Sequence, residues 1–152
     1  MPKEIEHKFL VRPELLPRPL AAGRRIVQGF LSVRPVVRVR LVSTGRKRTG
    51  FLTIKGAGLR ERDEFEYAIP PADVRRLLKL CEGRLVFKTR RRFGRWEVDQ
   101  FHGRHAGLWL AECELPSTRS RLPPLPVWLG REVTADSRYS NASLAVATSV
   151  PE

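Results

Sequence analysis

The sequence lacks the segments that would place it in a membrane or on a secretory route. No apolar run approaches the roughly 20 residues needed to cross a bilayer. The N-terminal stretch MPKEIE carries acids where a secretory signal would have its apolar stretch. Cysteine is scarce too: Cys81 and Cys113 are the only two and form no C-x-x-C pair, so we expect both in the core and no cysteine-based metal site. These absences predict a cytoplasmic protein.

Low-complexity tracts, internal repeats and Ser/Gly linkers are absent as well. The 152 residues therefore predict one domain spanning 1–152, long enough to bury a core. Charge of one sign dominates, because 29 Lys and Arg against 16 Asp and Glu leave a net charge of +13. This excess predicts a surface or a cavity that attracts anions. Charge alone does not distinguish nucleic acid, a phosphate metabolite or simple solubility.

Prolines and glycines separate short segments in which apolar and charged residues alternate, as in antiparallel sheet proteins. Strands are predicted at 3–11, 26–33, 36–43, 50–56, 62–69, 85–91, 95–101 and 108–115, with a further short one at 131–134. Helical spacing predicts a helix over Pro71 to Gly83, a second over Asp136 to Thr148, and a short helical turn near Glu14 to Leu20. These elements describe an α+β fold that is mainly antiparallel β, with a few helices packed outside.

Full charges occupy one face of most predicted strands, and their signs are segregated. The acidic pairs are Glu4 with Glu6 and Glu112 with Glu114, and the basic pairs are Arg38 with Arg40 and Lys88 with Arg90. A solvated face would normally mix signs along each strand. Segregation is explained if about eight strands close into a barrel with the charges pointing inward. Buried ions cost several kcal/mol each, so such an interior must be wet, internally paired or occupied by a charged ligand.

The two kinds of pair suit two parts of one ligand. Arginine binds phosphate oxygens in a bidentate manner, so the basic pairs favour a phosphate compound. Carboxylates at alternate strand positions converge on one point and favour a hard divalent cation. A polyphosphate with bound Mg²⁺ or Mn²⁺ matches both sets.

These charged blocks, taken in order, resemble the CYTH, or triphosphate tunnel metalloenzyme, family. The N-terminal Glu4-Ile5-Glu6-His7-Lys8 is similar to the E-x-E-x-K signature of that family. The likeness runs nearly end to end, through QGFL at 28–31, VRVR at 37–40, LTIKG at 52–56, RDEFE at 62–66, KTR at 88–90, WEVD at 96–99, ECE at 112–114, WLGREVT at 128–134 and DSRYSN at 136–141. The resemblance implies a closed eight-stranded antiparallel tunnel whose bore binds triphosphate.

Carried over residue by residue, the resemblance implies three layers of site residues. The metal ligands, for Mg²⁺ or Mn²⁺, are Glu4, Glu6, Glu112 and Glu114. The phosphate-binding residues are Lys8, Arg38, Arg40, Lys55, Arg62, Lys88 and Arg90. Residues that orient those cations, or line the acidic side of the bore, are Glu64, Glu66, Glu97 and Asp99. Lys8, Glu4 and Glu6 are the expected catalytic residues, and Arg138 either fastens the C-terminal segment or contacts the ligand.

One position departs from the family pattern. Short bacterial relatives that hydrolyse tripolyphosphate often carry Tyr after the Gln-Gly of the second strand, where it is thought to assist Lys8, but this chain has Phe30. A phenyl ring cannot donate a hydrogen bond. Triphosphate binding should survive this replacement, whereas the turnover rate and the preferred metal depend on it.

The expected reaction is in-line attack of water on a terminal phosphoryl group, with a divalent ion and the basic residues stabilising charge on the phosphate oxygens. His7, His102 and His105 are expected to be exposed or packing residues. The same tunnel could instead cyclise ATP to cyclic AMP, or take thiamine triphosphate or the 5′ end of RNA. Inorganic tripolyphosphate is favoured because the chain is short and has no obvious extra aromatic platform for a base.

A non-catalytic binding module for polyphosphate or RNA is the alternative from another class. The basic runs Arg90-Arg91-Arg92, Arg24-Arg25 and Gly45-Arg46-Lys47-Arg48 could form an exposed basic surface, although such runs are usually solvated loops. An RNA binder should lose affinity steeply with salt and need no divalent ion. The expected partner remains a small-molecule triphosphate, without a membrane, and the sequence leaves the oligomeric state open.

Overall fold

A computed structural model describes residues 3–58, 61–147 and 149–151, with the side chains of Lys3 and Glu4 excepted. Within these residues nine strands and two α-helices form. The strands are β1 (Lys3–Val11), β2 (Arg24–Val33), β3 (Val36–Thr44), β4 (Lys47–Lys55), β5 (Glu61–Ile69), β6 (Leu85–Phe93), β7 (Trp96–Phe101), β8 (Trp109–Glu114) and β9 (Leu129–Glu132); the helices are α1 (Pro71–Lys79) and α2 (Asn141–Val146). None of the described helices is long and apolar enough to cross a membrane.

Strands β1 to β8 close into an antiparallel barrel. The order in the sheet is β5-β4-β3-β2-β6-β7-β8-β1-β9, and a further pairing of β5 with β1 joins its two sides. Residues 3–5 of β1 pair with 61–63 of β5, whereas Phe9 and Val11 at the other end of β1 pair with β9. The predicted closed eight-stranded barrel is confirmed, with β9 as one additional strand.

The predicted strands agree with the observed ones to within three residues at each end. The first helix begins at Pro71 as predicted but ends at Lys79, because Glu82 and Gly83 adopt left-handed backbone angles (φ 53° and 81°). The predicted turn near Glu14 to Leu20 is a single 3₁₀ turn at Pro13–Leu15.

The predicted helix over Asp136 to Thr148 is wrong in its first half. A 3₁₀ turn occupies Ser137–Tyr139, and α2 begins only after Ser140. Ser140 has an extended backbone, and its side-chain oxygen caps the helix by accepting from the Ser143 N–H. The predicted end at Thr148 lies outside the described residues. This later start places Asn141 in the first turn of α2.

Most apolar side chains of the strands point outward and are covered by other parts of the chain. Helix α1 packs on β3 and β4, where Val39, Val74 and Cys81 are fully buried. Two glycines allow this close approach: a Cβ on Gly29 would lie 2.6 Å from the Cys81 sulfur, and one on Gly50 would lie 2.7 Å from Val74. Cys113 is buried as well, so both cysteines are core residues as predicted.

An apolar cluster closes one end of the barrel. Phe30, Val86 and Leu110 pack there against Tyr139 and Leu144 of the C-terminal segment. The segment is fastened from outside the barrel. His105 Nε2 donates to the Leu144 carbonyl oxygen at 2.6 Å, and Arg104 donates to the carbonyl of Ala145. The end of the barrel opposite α2 is not filled by this cluster.

Candidate active site

A cavity of about 230 Å³ lies inside the barrel, and charged residues dominate its wall. Seven basic and six acidic side chains line it, together with five uncharged residues: Glu6, Lys8, Phe30, Val36, Arg38, Arg40, Lys55, Arg62, Glu64, Glu66, Lys88, Arg90, Glu97, Glu112, Glu114, Ser140, Asn141 and Ala142. Strand alternation therefore brings thirteen of the sixteen site residues expected from the sequence to one cavity. The other three are Glu4, whose side chain lies outside the described residues, and Asp99 and Arg138.

Asp99 lies beneath the cavity wall as the shared counter-ion of two cations. It is 2% exposed, and its carboxylate accepts from Arg90 Nε at 2.7 Å and from the terminal nitrogen of Arg90 at 2.9 Å. Lys88 Nζ lies 2.8 Å from the same carboxylate. Burial alone would raise the pKa of Asp99, but the charges of Arg90 and Lys88 hold that pKa well below its usual range. Asp99 is therefore ionised and orients both cations.

The ammonium group of Lys88 is almost fully buried in the cavity wall. Burial lowers the pKa of Lys88 from 10.5 to about 7; Asp99 opposes this shift, and the nearby positive charges of Arg90 and Arg40 add to it. The folded cavity without an anion therefore holds a lysine that gains or loses its proton near neutral pH.

Acidic residues of β1 and β8 meet on the part of the wall that follows β7 in the sheet. Glu6 pairs in register with Glu114, and Lys8 pairs with Glu112. The Glu6 and Glu112 side chains are hydrogen-bonded to one another, and Lys8 Nζ lies 3.5 Å from Glu112. Burial would raise the pKa of Glu112, but Lys8 and Arg90 hold it well below the usual value. Two carboxyl groups this close require a proton or a cation between them.

The structure contains no group of three or more His, Cys, Asp or Glu residues arranged to hold a metal ion, as far as the described side chains extend. The fourth expected ligand, Glu4, is among the side chains not described, although its backbone pairs with Arg62 in the β1–β5 seam. The donors that are described on this wall are the carboxylates of Glu6, Glu112 and Glu114. Oxygen donors of this kind suit Mg²⁺ or Mn²⁺.

Strands β3, β4 and β5 contribute a second group of ion pairs. Lys55 Nζ lies 3.3 Å from Glu64, and an Arg38 terminal nitrogen lies 3.8 Å from Glu66. Thr53 links the latter two, since its hydroxyl accepts from Arg38 at 3.2 Å and donates to Glu66 at 3.1 Å. These contacts hold extended basic side chains along the wall.

Two neutral amides, which the sequence did not single out, connect the cations across the barrel. Gln28 is fully buried; its oxygen accepts from Arg40 Nε at 2.8 Å and its nitrogen donates to the Asn141 oxygen at 2.7 Å. The same Asn141 oxygen accepts from Lys88 Nζ at 2.9 Å. A search for full charges overlooks amides, and only the alternation of β2 could have placed Gln28 on the inner face.

Arg40 has a distinct position among the cations. Burial lowers its pKa well below the ordinary value, and the neighbouring charges of Arg38 and Arg90 lower it further. In the described part of the chain Arg40 forms no ion pair, and its Nε donates to neutral Gln28. Arg40 also lines the cavity, where an anion would supply acceptors for its remaining N–H groups.

Arg138 and the histidines lie away from the cavity. Arg138 is exposed and binds Asp136 within the C-terminal segment, with a terminal nitrogen 2.7 Å from the carboxylate. His7 Nδ1 lies 2.7 Å from Glu132, His102 Nε2 lies 2.8 Å from Thr89, and His105 is buried. None of these four residues lines the cavity.

The chain is similar along its whole length to two curated proteins and to a solved structure. It is 40% identical over 152 residues to the inorganic triphosphatase of Acetivibrio thermocellus, covering 95% of this chain and 94% of that protein. It is 36% identical over 157 residues to the inorganic triphosphatase of Nitrosomonas europaea, covering 94% and 97%. The crystal structure of the inorganic triphosphatase NE1496 matches with a TM-score of 0.66 and 32% identity over 98% of each chain. No protein-family model matches the chain.

Proposed function

The chain belongs to the CYTH, or triphosphate tunnel metalloenzyme, family, and we propose that it hydrolyses inorganic tripolyphosphate inside its barrel. The observation that carries this proposal is the presence of seven basic side chains and the Glu6, Glu112 and Glu114 carboxylates in one cavity. A linear triphosphate is a polyanion that binds cations along its length and a metal ion at its oxygens. The two curated relatives and the solved structure, all named as inorganic triphosphatases, support the same substrate.

The size of the cavity favours the inorganic compound over an organic triphosphate. Its volume of about 230 Å³ is below the roughly 300–1,000 Å³ of pockets that enclose drug-sized ligands. The uncharged part of the wall consists of Phe30, Val36 and Ala142 with two small polar residues, and Phe30 is only 1% exposed. A nucleobase or a thiamine ring would have to lie outside the cavity.

We assign phosphate binding to the seven basic side chains that line the cavity. Arg40 offers its terminal N–H groups, Lys88 and Arg90 are oriented by Asp99, and Lys8 is oriented by Glu112 and by the Tyr139 carbonyl, 3.1 Å from its Nζ. Lys55, Arg38 and Arg62 line the remaining wall. Because hydrolysis spreads negative charge over the equatorial oxygens of the transferred phosphoryl group, fixed cations lower the barrier.

We assign the metal to Glu4, Glu6, Glu112 and Glu114, with Mg²⁺ or Mn²⁺ as the candidates. A bound ion would supply positive charge that offsets the negative charge of the phosphate oxygens. The attacking water adds to the terminal phosphorus, the phosphoanhydride bond breaks, and pyrophosphate leaves. We assign the acceptor of the water proton to a carboxylate of the wall formed by Glu6, Glu112 and Glu114, where Lys8 and Arg90 hold Glu112 ionised.

The proposal is tested by measuring phosphate release from tripolyphosphate, ATP and thiamine triphosphate with Mg²⁺ and with Mn²⁺. We expect release from tripolyphosphate to be fastest, and a cyclic AMP assay of the ATP reaction tests the cyclase alternative. Tight binding of tripolyphosphate without release from any of the three would contradict the proposal and identify a binding module.

The affinity for tripolyphosphate is expected to fall as the pH rises through about 7. A bound polyanion favours protonated Lys88, whereas Lys88 in the unliganded protein loses its proton near this pH. Above it, binding must take up a proton, which weakens the affinity by up to about tenfold per pH unit. Calorimetric titration across this range measures the effect. The affinity of Lys88→Arg, which stays charged, should depend less steeply on pH. If the affinity falls equally with pH in both proteins, Lys88 is not responsible and the titration of the substrate alone explains the effect.

Asn141→Ala is expected to raise the KM for tripolyphosphate by about tenfold to 100-fold, the usual cost of losing a group that orients a ligand-binding residue. The substitution removes the oxygen that holds both Lys88 and Gln28. Steady-state kinetics measure it, with the exposed Val146→Ala of the same helix as the control. Unchanged KM and kcat in Asn141→Ala would show that the amide does not position these residues.

A further inference from the structure

Glu64 and Glu66 of β5 are the more exposed members of two ion pairs in the cavity wall. The Glu64 side chain is 29% exposed and that of its partner Lys55 is 10% exposed. Glu66 is 41% exposed and its partner Arg38 is 7% exposed. All four side chains line the cavity. Each carboxylate therefore lies on the solvent side of a more deeply buried cation, which is the side from which a phosphate group would approach.

Asp99 has the opposite arrangement. Its side chain is 2% exposed and lies 2.7 Å from Arg90 and 2.8 Å from Lys88, beneath the cavity wall. The two ion pairs of β5 are longer, at 3.3 and 3.8 Å. Hydrated ion pairs contribute little stability, so the pairs of β5 can separate at a small cost while Asp99 stays in place.

The edge of β5 leaves room for the two carboxylates to move. In the described register β5 pairs with β1 only through residues 61–63, so this seam ends before Glu64. Beyond it, Glu64 and Glu66 pair with Lys55 and Thr53 of β4. The described strand pairing therefore encloses this stretch on one side only, and both carboxylates can turn away from their cations towards solvent.

Arg38 does not depend on Glu66 alone for its position. The fully buried Thr53 hydroxyl accepts from Arg38 at 3.2 Å and donates to Glu66 at 3.1 Å. The three residues lie side by side on adjacent strands, because Thr53 pairs in register with both of the others. If Glu66 moved, Thr53 would still hold Arg38 and could donate to a phosphate oxygen in place of the carboxylate.

A bound triphosphate would compete with the two carboxylates for the same cations. The wall already holds six acidic side chains against seven basic ones. A metal ion on the β1 and β8 carboxylates would offset their charge, but Glu64 and Glu66 lie on another strand, beside Lys55 and Arg38. Because like charges in close contact repel, a polyanion that binds these two cations favours displacement of both carboxylates.

We propose that Glu64 and Glu66 are placeholder anions, which occupy the phosphate-binding sides of Lys55 and Arg38 in the empty cavity, are displaced by the substrate and return as the products leave. The proposal rests on the function proposed for the cavity. It gives the two residues control over the affinity for polyphosphate anions, and so over product release. The sign of their effect is diagnostic, because loss of a residue that merely orients a cation weakens anion binding, whereas loss of a placeholder strengthens it.

The test compares two double variants that remove the same charge. Glu64→Gln/Glu66→Gln changes the cavity, and Glu14→Gln/Glu82→Gln changes exposed residues outside it. Calorimetric titration in chelator measures the affinity for tripolyphosphate and for pyrophosphate. We expect the cavity variant to bind both about tenfold more tightly or better, and the outer variant to change about twofold or less. Inhibition of tripolyphosphate turnover by added pyrophosphate should strengthen by the same factor in the cavity variant.

A crystal structure of the wild-type protein with tripolyphosphate, grown in chelator, tests the displacement directly. We expect the Lys55–Glu64 and Arg38–Glu66 distances to exceed 4 Å in the complex, with phosphate oxygens in their place.

Weaker or unchanged anion binding in the cavity variant, an equal gain in both variants, or intact ion pairs in the complex would overturn the proposal. A wild-type protein that binds tripolyphosphate without cleaving it would refute the hydrolysis proposed for the cavity. The titrations and the complex would still decide whether Glu64 and Glu66 are displaced.

Discussion

Asp99→Asn is expected to lower the free energy of unfolding by about 3 kcal/mol or more and tripolyphosphate turnover by about 100-fold or more. The substitution preserves shape but leaves two buried cations without their shared counter-charge, and breaking a buried ion pair from one side typically costs about 3–5 kcal/mol. Arg90 and Lys88 would also lose the contacts that orient them towards the phosphate. Urea unfolding and steady-state kinetics measure the two effects.

The pH dependence distinguishes a charge effect from a packing effect. Because the pKa of Asp99 is depressed in the folded protein, its ionised form contributes stability above the unfolded value of 3.8, and this contribution is lost as the pH falls towards the folded value. The stability gap between wild type and Asp99→Asn should therefore narrow in acid. The exposed pair of Asp136 and Arg138 supplies the control, because Asp136→Asn should change stability far less. A gap that persists unchanged at low pH would mean that packing, not charge, is responsible.

Glu6→Gln is expected to lower kcat for tripolyphosphate by about 100-fold to 1,000-fold, the range seen when one charge-stabilising group is removed from an active site. Glu6 is hydrogen-bonded to Glu112 and shares the wall with Glu114, so its loss weakens the proposed metal site and the acceptor of the water proton. Binding of tripolyphosphate in chelator should not weaken, because the change removes a negative charge. Kinetics over a range of Mg²⁺ and Mn²⁺ concentrations measure the effect.

Glu132→Gln is the matched control for Glu6→Gln. Glu132 lies on β9 outside the cavity and binds His7 and the Thr134 hydroxyl, 2.6 Å away. We expect its kcat and metal dependence to equal those of the wild type. A Glu6→Gln protein with the same kcat and metal dependence as Glu132→Gln would remove Glu6 from the catalytic site.

Local alternation explains why so much of the site could be predicted. A strand sends successive side chains to opposite faces, so Arg38 and Arg40, or Lys88 and Arg90, must share a side wherever the strand lies. Segregated signs then indicated which side is enclosed. The role of each residue within the cavity could not be predicted from alternation. Asp99 shares the inner face but is buried beneath the wall, whereas Arg138 lies outside it.

Long-range contacts explain what could not be predicted. Gln28 and Asn141 are 113 residues apart, and no local pattern joins an amide in a strand to one in the first turn of a short helix. The start of that helix was itself misplaced, because the capping role of Ser140 depends on the extended backbone that precedes α2.

The sequence by itself determined the strands and the faces that carry charge, because pleating and residue type act over a few residues. The tertiary structure alone decided that the barrel closes through β1 and β5 and that the C-terminal segment fills one end. Closure and register depend on how every strand pairs with its neighbours. No single segment of the sequence contains that information.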